Sequence, residues 1–342
     1  MSNPKEFDIY EDTVRLQKSE DKKTNRYSKY CDFIFYESSI TPGIKLAMRI
    51  LKPEKPSYIL CTTHGWHMSI NGFEHIDDAP KSKYLQVQID MRGRAFSDGE
   101  PDCNGYELYD IYDAAEYVKK HYSQYIIDDS IIYFEAGSGG GGNCYELISK
   151  FPDYFAAATA LFGITDYAKW YNEDAKGEFK DEMDIWVGCT PDKNQMAYDS
   201  RSGILGIENL HTPLFIAHGE FDIRVPVSHA ENYINKAKEL GKGELINYYC
   251  MQGVGNLNHW GNVTKEQTAT VKRLSEENRV LHKSPINLAP SGRLIVKGYL
   301  VTKKFSVFLD SIDKVAVLDY DINQNKYTVT SSVPLDYKIE VK

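Results

Sequence analysis

EAGSGGGGNCYEL, residues Glu135 to Leu147, is the stretch on which the reading of this chain turns. A serine is followed by four glycines, in front of a segment that reads as a helix. The same letters satisfy two unrelated patterns. Gly137, Gly139 and Gly142 fit G-x-G-x-x-G, the loop that cradles a dinucleotide pyrophosphate. Ala136, Ser138 and Gly140 fit small-x-Ser-x-Gly, a sharp turn that presents a reactive serine.

The surrounding sequence separates the two. A dinucleotide loop follows the first strand of its domain and needs an acidic residue about 20 positions on, at the tip of the next strand. Here the loop follows roughly the fifth strand-like run, and the next one, AAATALF (156–162), ends in Phe162-Gly163 with no acid. No lysine follows the glycines, which excludes a G-x-x-x-x-G-K-[ST] phosphate loop. The serine turn instead needs small neighbours, because its backbone is strained and larger Cβ atoms would collide with the adjoining strand and helix. It then needs an acid and a histidine, in that order along the chain. LFIAHGEFDIRVPV places Asp222 just past a strand, and MQGVGNLNHWGN places His259 past the next.

Outward from this point the chain alternates strand and helix. CDFIFYES (31–38) and IKLAMRILK (44–52) read as a hairpin about Thr41-Pro42-Gly43, and YILCTTH (58–64) and YLQVQID (84–90) read as buried strands. Residues 106–121 carry helical apolar spacing. IIYFEA (131–136), AAATALF, PLFIAHG (213–219) and LINYYCM (245–251) complete a mostly parallel sheet with helices on both faces. Residues 166–209 interrupt the alternation with an aromatic-rich, acidic cap over the carboxyl ends of the strands. Beyond a linker-like SPINLAPSG come alternating runs that predict a small antiparallel β unit. The domains read as an N-terminal arm at 1–30, a catalytic domain at 31–283 and a β domain at 284–342.

LCTTHGW, DMRGRAFSDGEPD, AGSGG, HGEFDIRVP and NHWG, in this order over roughly residues 45–275, resemble the alpha/beta-hydrolase superfamily. The nearest branch is the prolyl oligopeptidase-like and cocaine-esterase-like serine hydrolases. The resemblance implies the alpha/beta-hydrolase fold and a triad of Ser138 as nucleophile, His259 as general base and Asp222 as its orienting acid, with Glu220 a nearby competitor. It also implies an oxyanion hole from the N–H of Gly139 and, after THG, that of Trp66. His64 and His218 sit in strand-end HG dipeptides and read as structural. Asp90 and Arg92 read as a buried, loop-organising pair. Trp170 and Trp186 of the cap are candidate substrate-binding walls, and the cap acids are expected to repel anionic acyl groups. Gly141 and Gly142 serve either close packing or room for an acyl group.

The expected function is an acyl-enzyme hydrolase needing no metal and no cofactor. A carboxylesterase acting on small neutral or aromatic esters is favoured over a prolyl oligopeptidase-type peptidase, because few residues precede the core. A catalytically silent, hydrolase-fold binding protein is the third reading. A net charge of −9 without a basic run argues against nucleic acid and anionic membrane partners. No apolar run approaches a membrane span and the N-terminus has no signal-peptide core, so the expected location is cytoplasmic. Six scattered cysteines without C-x-x-C read as buried thiols. A small ester or short peptide is the expected partner, and a homo-oligomer is left open.

Overall fold

The computed structural model describes residues 30–70, 82–174 and 177–342. The arm at 1–30 lies outside them but for its last residue. The chain divides into two compact units, Met1–Pro101 with Tyr106–Asp129, and Asp102–Gly105 with Ser130–Lys342.

In the first unit, β1 (Cys31–Glu37) and β2 (Lys45–Leu51) form the expected hairpin. The sheet continues from β2 to β4 (Leu85–Ile89), antiparallel, and from β4 to β3 (Ile59–Thr62), parallel. Helix α1 (Glu107–His121) packs on this sheet through Leu108, Ile111, Ala115 and Val118. Asp90 and Arg92 are both buried, as expected of loop-organising residues. Arg92 makes a forked pair with Asp110 of α1, Nε to Oδ2 at 2.6 Å and Nη2 to Oδ1 at 2.8 Å. Asp90 accepts from the N–H groups of Ile70 and Phe96 and so ties down loops. His64 Nε2 accepts from the N–H of Met91 at 3.1 Å, a structural role that suits its burial.

The second unit carries four parallel strands: β5 (Ile132–Gly137), β6 (Ala157–Leu161), β7 (Leu214–Gly219) and β8 (Ile246–Met251). β6 reads AATAL, and its small side chains let helices approach the sheet closely. Helix α2 (Gly139–Lys150) follows β5. The cap contributes the short helices α3 (Tyr167–Glu173), α4 (Lys180–Trp186) and α5 (Gln195–Asp199). Helix α6 (Ser228–Glu239) joins β7 to β8. Helix α7 (Lys265–Leu281) opens on a capping box in which Thr264 and Gln267 satisfy each other's backbone N–H, worth about 1 kcal/mol.

The tail is an antiparallel sheet of β9 (Ser291–Lys297), β10 (Tyr299–Val301), β11 (Phe305–Leu309), β12 (Val315–Asp321), β13 (Lys326–Thr330) and β14 (Tyr337–Val341), in the order β13-β12-β9-β10-β11-β14. It has its own core of Leu294, Val296, Leu300, Phe305, Val307 and Leu318. It is also bound by buried polar groups to the rest of its unit. Asn209 donates to Ile295 O and accepts from Ile295 N. Lys297, Glu146 and Lys150, each at most 1% exposed, form a charge cluster that joins β9 to α2. Among the described residues no helix is long and apolar enough to cross a membrane.

Candidate active site

Gly137 ends β5 and Gly139 begins α2, so Ser138 alone makes the turn between them, with φ 58° and ψ −124°. A non-glycine residue there is strained, at a cost on the order of 1–3 kcal/mol. Two backbone hydrogen bonds hold it: Ser138 N donates to Leu161 O at 2.9 Å, and Gly142 N donates to Ser138 O at 3.0 Å. The close approach of β6 to α2 explains the further glycines. A Cβ on Gly141 would stand 2.7 Å from both Gly163 Cα and Leu161 O, and one on Gly142 would stand 2.3 Å from the Tyr167 hydroxyl. Of the two roles left open for these glycines, close packing accounts for both.

His259 Nε2 lies 2.8 Å from Ser138 Oγ, and His259 Nδ1 lies 2.6 Å from Asp222 Oδ2. Asp222 is fully buried at its side chain, and its other oxygen accepts from the N–H groups of Arg224 and Val225 at 2.9 and 3.1 Å. Gly255, at φ 114°, lets the histidine loop lie against the acid loop; a Cβ there would come within 2.4 Å of Asp222 N. Glu220 accepts from Gly253 N, which makes it a loop brace. His218 is buried, and burial pushes its imidazole down to about 4; its Nε2 lies 2.8 Å from Val225 O and so braces the loop that holds Asp222.

The remaining expected site residues fall in different places. Gly139 is the first residue of α2, so its N–H has no acceptor within the helix and sits at the positive end of the helix dipole. Trp66 belongs to the first unit, in the turn after β3, where its carbonyl accepts from Arg94 Nη2 at 3.1 Å. Trp170 does not fit a pocket wall. It is 2% exposed, it stacks on Phe179 at 4.4 Å, and its indole N–H donates to Arg224 O at 2.8 Å. Trp186, at the end of α4, is half-buried.

The cap acids are largely spent within the fold. Glu173 pairs with Lys169 and meets His229, Glu178 pairs with Arg224, Asp184 accepts from the Tyr171 hydroxyl, and Asp174 accepts three backbone N–H groups. The expected repulsion of anionic acyl groups is weakened accordingly. Sequence reasoning missed Phe162, whose ring lies flat on His259 at 4.7 Å with 8° between the planes. Its signal, an aromatic residue just before a glycine, was hidden in a continuous apolar strand. Among the described residues no three or more His, Cys, Asp or Glu gather as metal ligands.

The pattern of the prolyl oligopeptidase family matches residues 84–276, more than half of the chain. The acylamino-acid-releasing enzyme of Arabidopsis thaliana is 30% identical over 125 residues, 34% of this chain and 16% of that enzyme. An acylaminoacyl peptidase of Pyrococcus horikoshii superposes with a TM-score of 0.57 at 17% identity, over 74% of this chain and 40% of that one. An esterase of Pyrococcus furiosus superposes with a TM-score of 0.52 at 13% identity, over 72% of this chain and 90% of that one. The chain thus spans less than half the length of the plant enzyme and the archaeal peptidase, and the structural likenesses establish the alpha/beta-hydrolase fold. The span of the family match, with a strand, serine turn and helix at its centre, makes this chain a member of the prolyl oligopeptidase family of serine hydrolases.

Proposed function

We propose that the chain is a peptidase-type serine hydrolase that works through an acyl-enzyme on Ser138. The observation that carries the reading is the unbroken relay from Ser138 Oγ through His259 to Asp222. In the first half-reaction Ser138 Oγ bonds to the substrate carbonyl carbon while His259 Nε2 takes the serine proton. The carbonyl oxygen becomes an oxyanion, for which the N–H of Gly139 is the proposed donor. The carbon–nitrogen bond then breaks, and His259 delivers its proton to the departing amine. Water repeats the sequence on the acyl-serine and frees the acid. Throughout, Asp222 holds the Nδ1 proton and balances the imidazolium charge.

Peptide-type substrates lead the ester reading because the family and the plant relative both belong to peptide-bond chemistry. The esterase of Pyrococcus furiosus, matched over nearly its whole length, favours small esters as the second reading. The reading that the site is silent has no support in a relay whose three members are in contact. A matched pair of substrates tests the choice: an N-acylated amino-acid anilide and the corresponding aryl ester. Ser138-dependent release from the anilide supports the peptidase, whereas turnover of the ester alone supports the esterase.

A further inference from the structure

We infer that Phe162 is a positioning residue for His259, holding the imidazole in the plane that reaches both Ser138 and Asp222 and stabilising the imidazolium that forms during acyl transfer. The inference rests on the serine-hydrolase reading above. Three observations carry it.

The first is the stack itself, parallel within 8° at 4.7 Å, with the ring of Phe162 only 4% exposed. A ring lying flat on the imidazole blocks rotation about the bond that would swing Nε2 away from Ser138. The second is the conformation that delivers the ring. Phe162 has φ 39°, a left-handed backbone that a bulky L-residue rarely adopts, held by its N–H donating to Ala217 O at 2.8 Å. The third is the enclosure. A Cβ on Gly137 would stand 2.9 Å from Phe162 Cε2, so the ring is held between the residue before the nucleophile and the base. Trp260 meets it edge-on at 4.9 Å and 84°. The ring also packs with Phe215, Met251 and Val254 in one buried cluster.

The chemistry follows from the ring's charge distribution. As Ser138 attacks, its proton moves to His259 Nε2 and the imidazole becomes a cation. Asp222 meets that charge at the ring edge, through Nδ1. Phe162 meets it on the ring face, where the negative face of an aromatic quadrupole attracts a cation.

Replacement of Phe162 by phenylalanines carrying one, three and five fluorines tests this, because fluorination removes the negative face while nearly preserving the ring's shape. The expected result is a stepwise fall in kcat, about 3- to 30-fold at five fluorines, with KM unchanged. Phe162→Tyr should keep most of the activity and Phe162→Leu should lose it. A kcat that stays flat across the fluorinated series, in a protein whose turnover depends on Ser138, overturns the role of Phe162 alone. Absence of Ser138-dependent turnover in the unmodified protein overturns the hydrolase reading and this inference together.

Discussion

The ammonium of Lys297, in the first strand of the tail sheet, is buried against the carboxylate of Glu146 on the helix that begins at the serine turn. Both side chains have no exposed surface. The same ammonium donates to Ser202 O at 2.8 Å, and Lys150 reaches the other Glu146 oxygen at 3.3 Å. Taking one partner from such a cluster leaves charge in a medium that cannot solvate it, which typically costs about 3–5 kcal/mol.

Lys297→Met is therefore expected to lower unfolding free energy by about 3 kcal/mol, with Lys150 making up part of the loss. Denaturant titration checks this. The double variant Glu146→Met with Lys297→Met should recover much of the loss, since removing both charges leaves only packing to repair. The buried cluster also predicts that truncation near residue 284, which removes Lys297, destabilises the helix carrying Gly139.

Lys150 also gives the fold a pH dependence. Burial pushes its ammonium from the ordinary 10.5 down to about 8, against the opposing pull of Glu146. The unfolded chain then holds this proton more tightly than the folded one. The group therefore weakens the fold below about pH 8, and that penalty is relieved as the pH rises toward 10.5. Between those values the unfolding free energy of the unmodified protein, measured relative to Lys150→Met, should rise by about 1–3 kcal/mol. A constant difference would mean that Lys150 does not titrate in this range.

The two cap tryptophans should behave differently. Trp170 is buried and holds Arg224 O, two residues from Asp222. Trp170→Phe should lower kcat/KM by a similar factor, about 3- to 10-fold, for every substrate, the cost of one lost hydrogen bond near the acid loop. Trp186→Ala should lower it unequally across a panel of anilides and esters, because a wall that touches substrate discriminates and a remote brace does not. Equal effects at Trp186 would mean that it too is a remote brace.

Much of this site was legible in the sequence because its motifs are local. A serine among small residues, an acid three residues after HG and a late histidine each follow a strand, and the parallel strands β5, β7 and β8 bring them together. What was not legible depends on partners distant in the chain. Arg92 meets Asp110, 18 positions on, because α1 brings that carboxylate to it. Trp170 looked like a wall only while its acceptor, Arg224 O, was unknown. Lys297 looked like any strand residue until Glu146, some 150 positions earlier, met it. Phe162 read as the end of a core strand, since a positive φ leaves no mark in a run of apolar letters.

Asp222→Asn should leave the fold intact, since Asn can still accept from Arg224 N and Val225 N, yet lower kcat by about 10³–10⁴. The amide presents the wrong partner to His259 Nδ1. Circular dichroism and steady-state rates on the same preparation check both halves.

The most direct measurement is the site of covalent attack. A fluorophosphonate reacts with a serine hydroxyl that a neighbouring base has activated, and peptide mass spectrometry locates the adduct. A single adduct on Ser138 is expected, absent from Ser138→Ala and from His259→Ala. An adduct on another serine, or labelling of Ser138→Ala at the rate of the unmodified protein, would contradict that expectation.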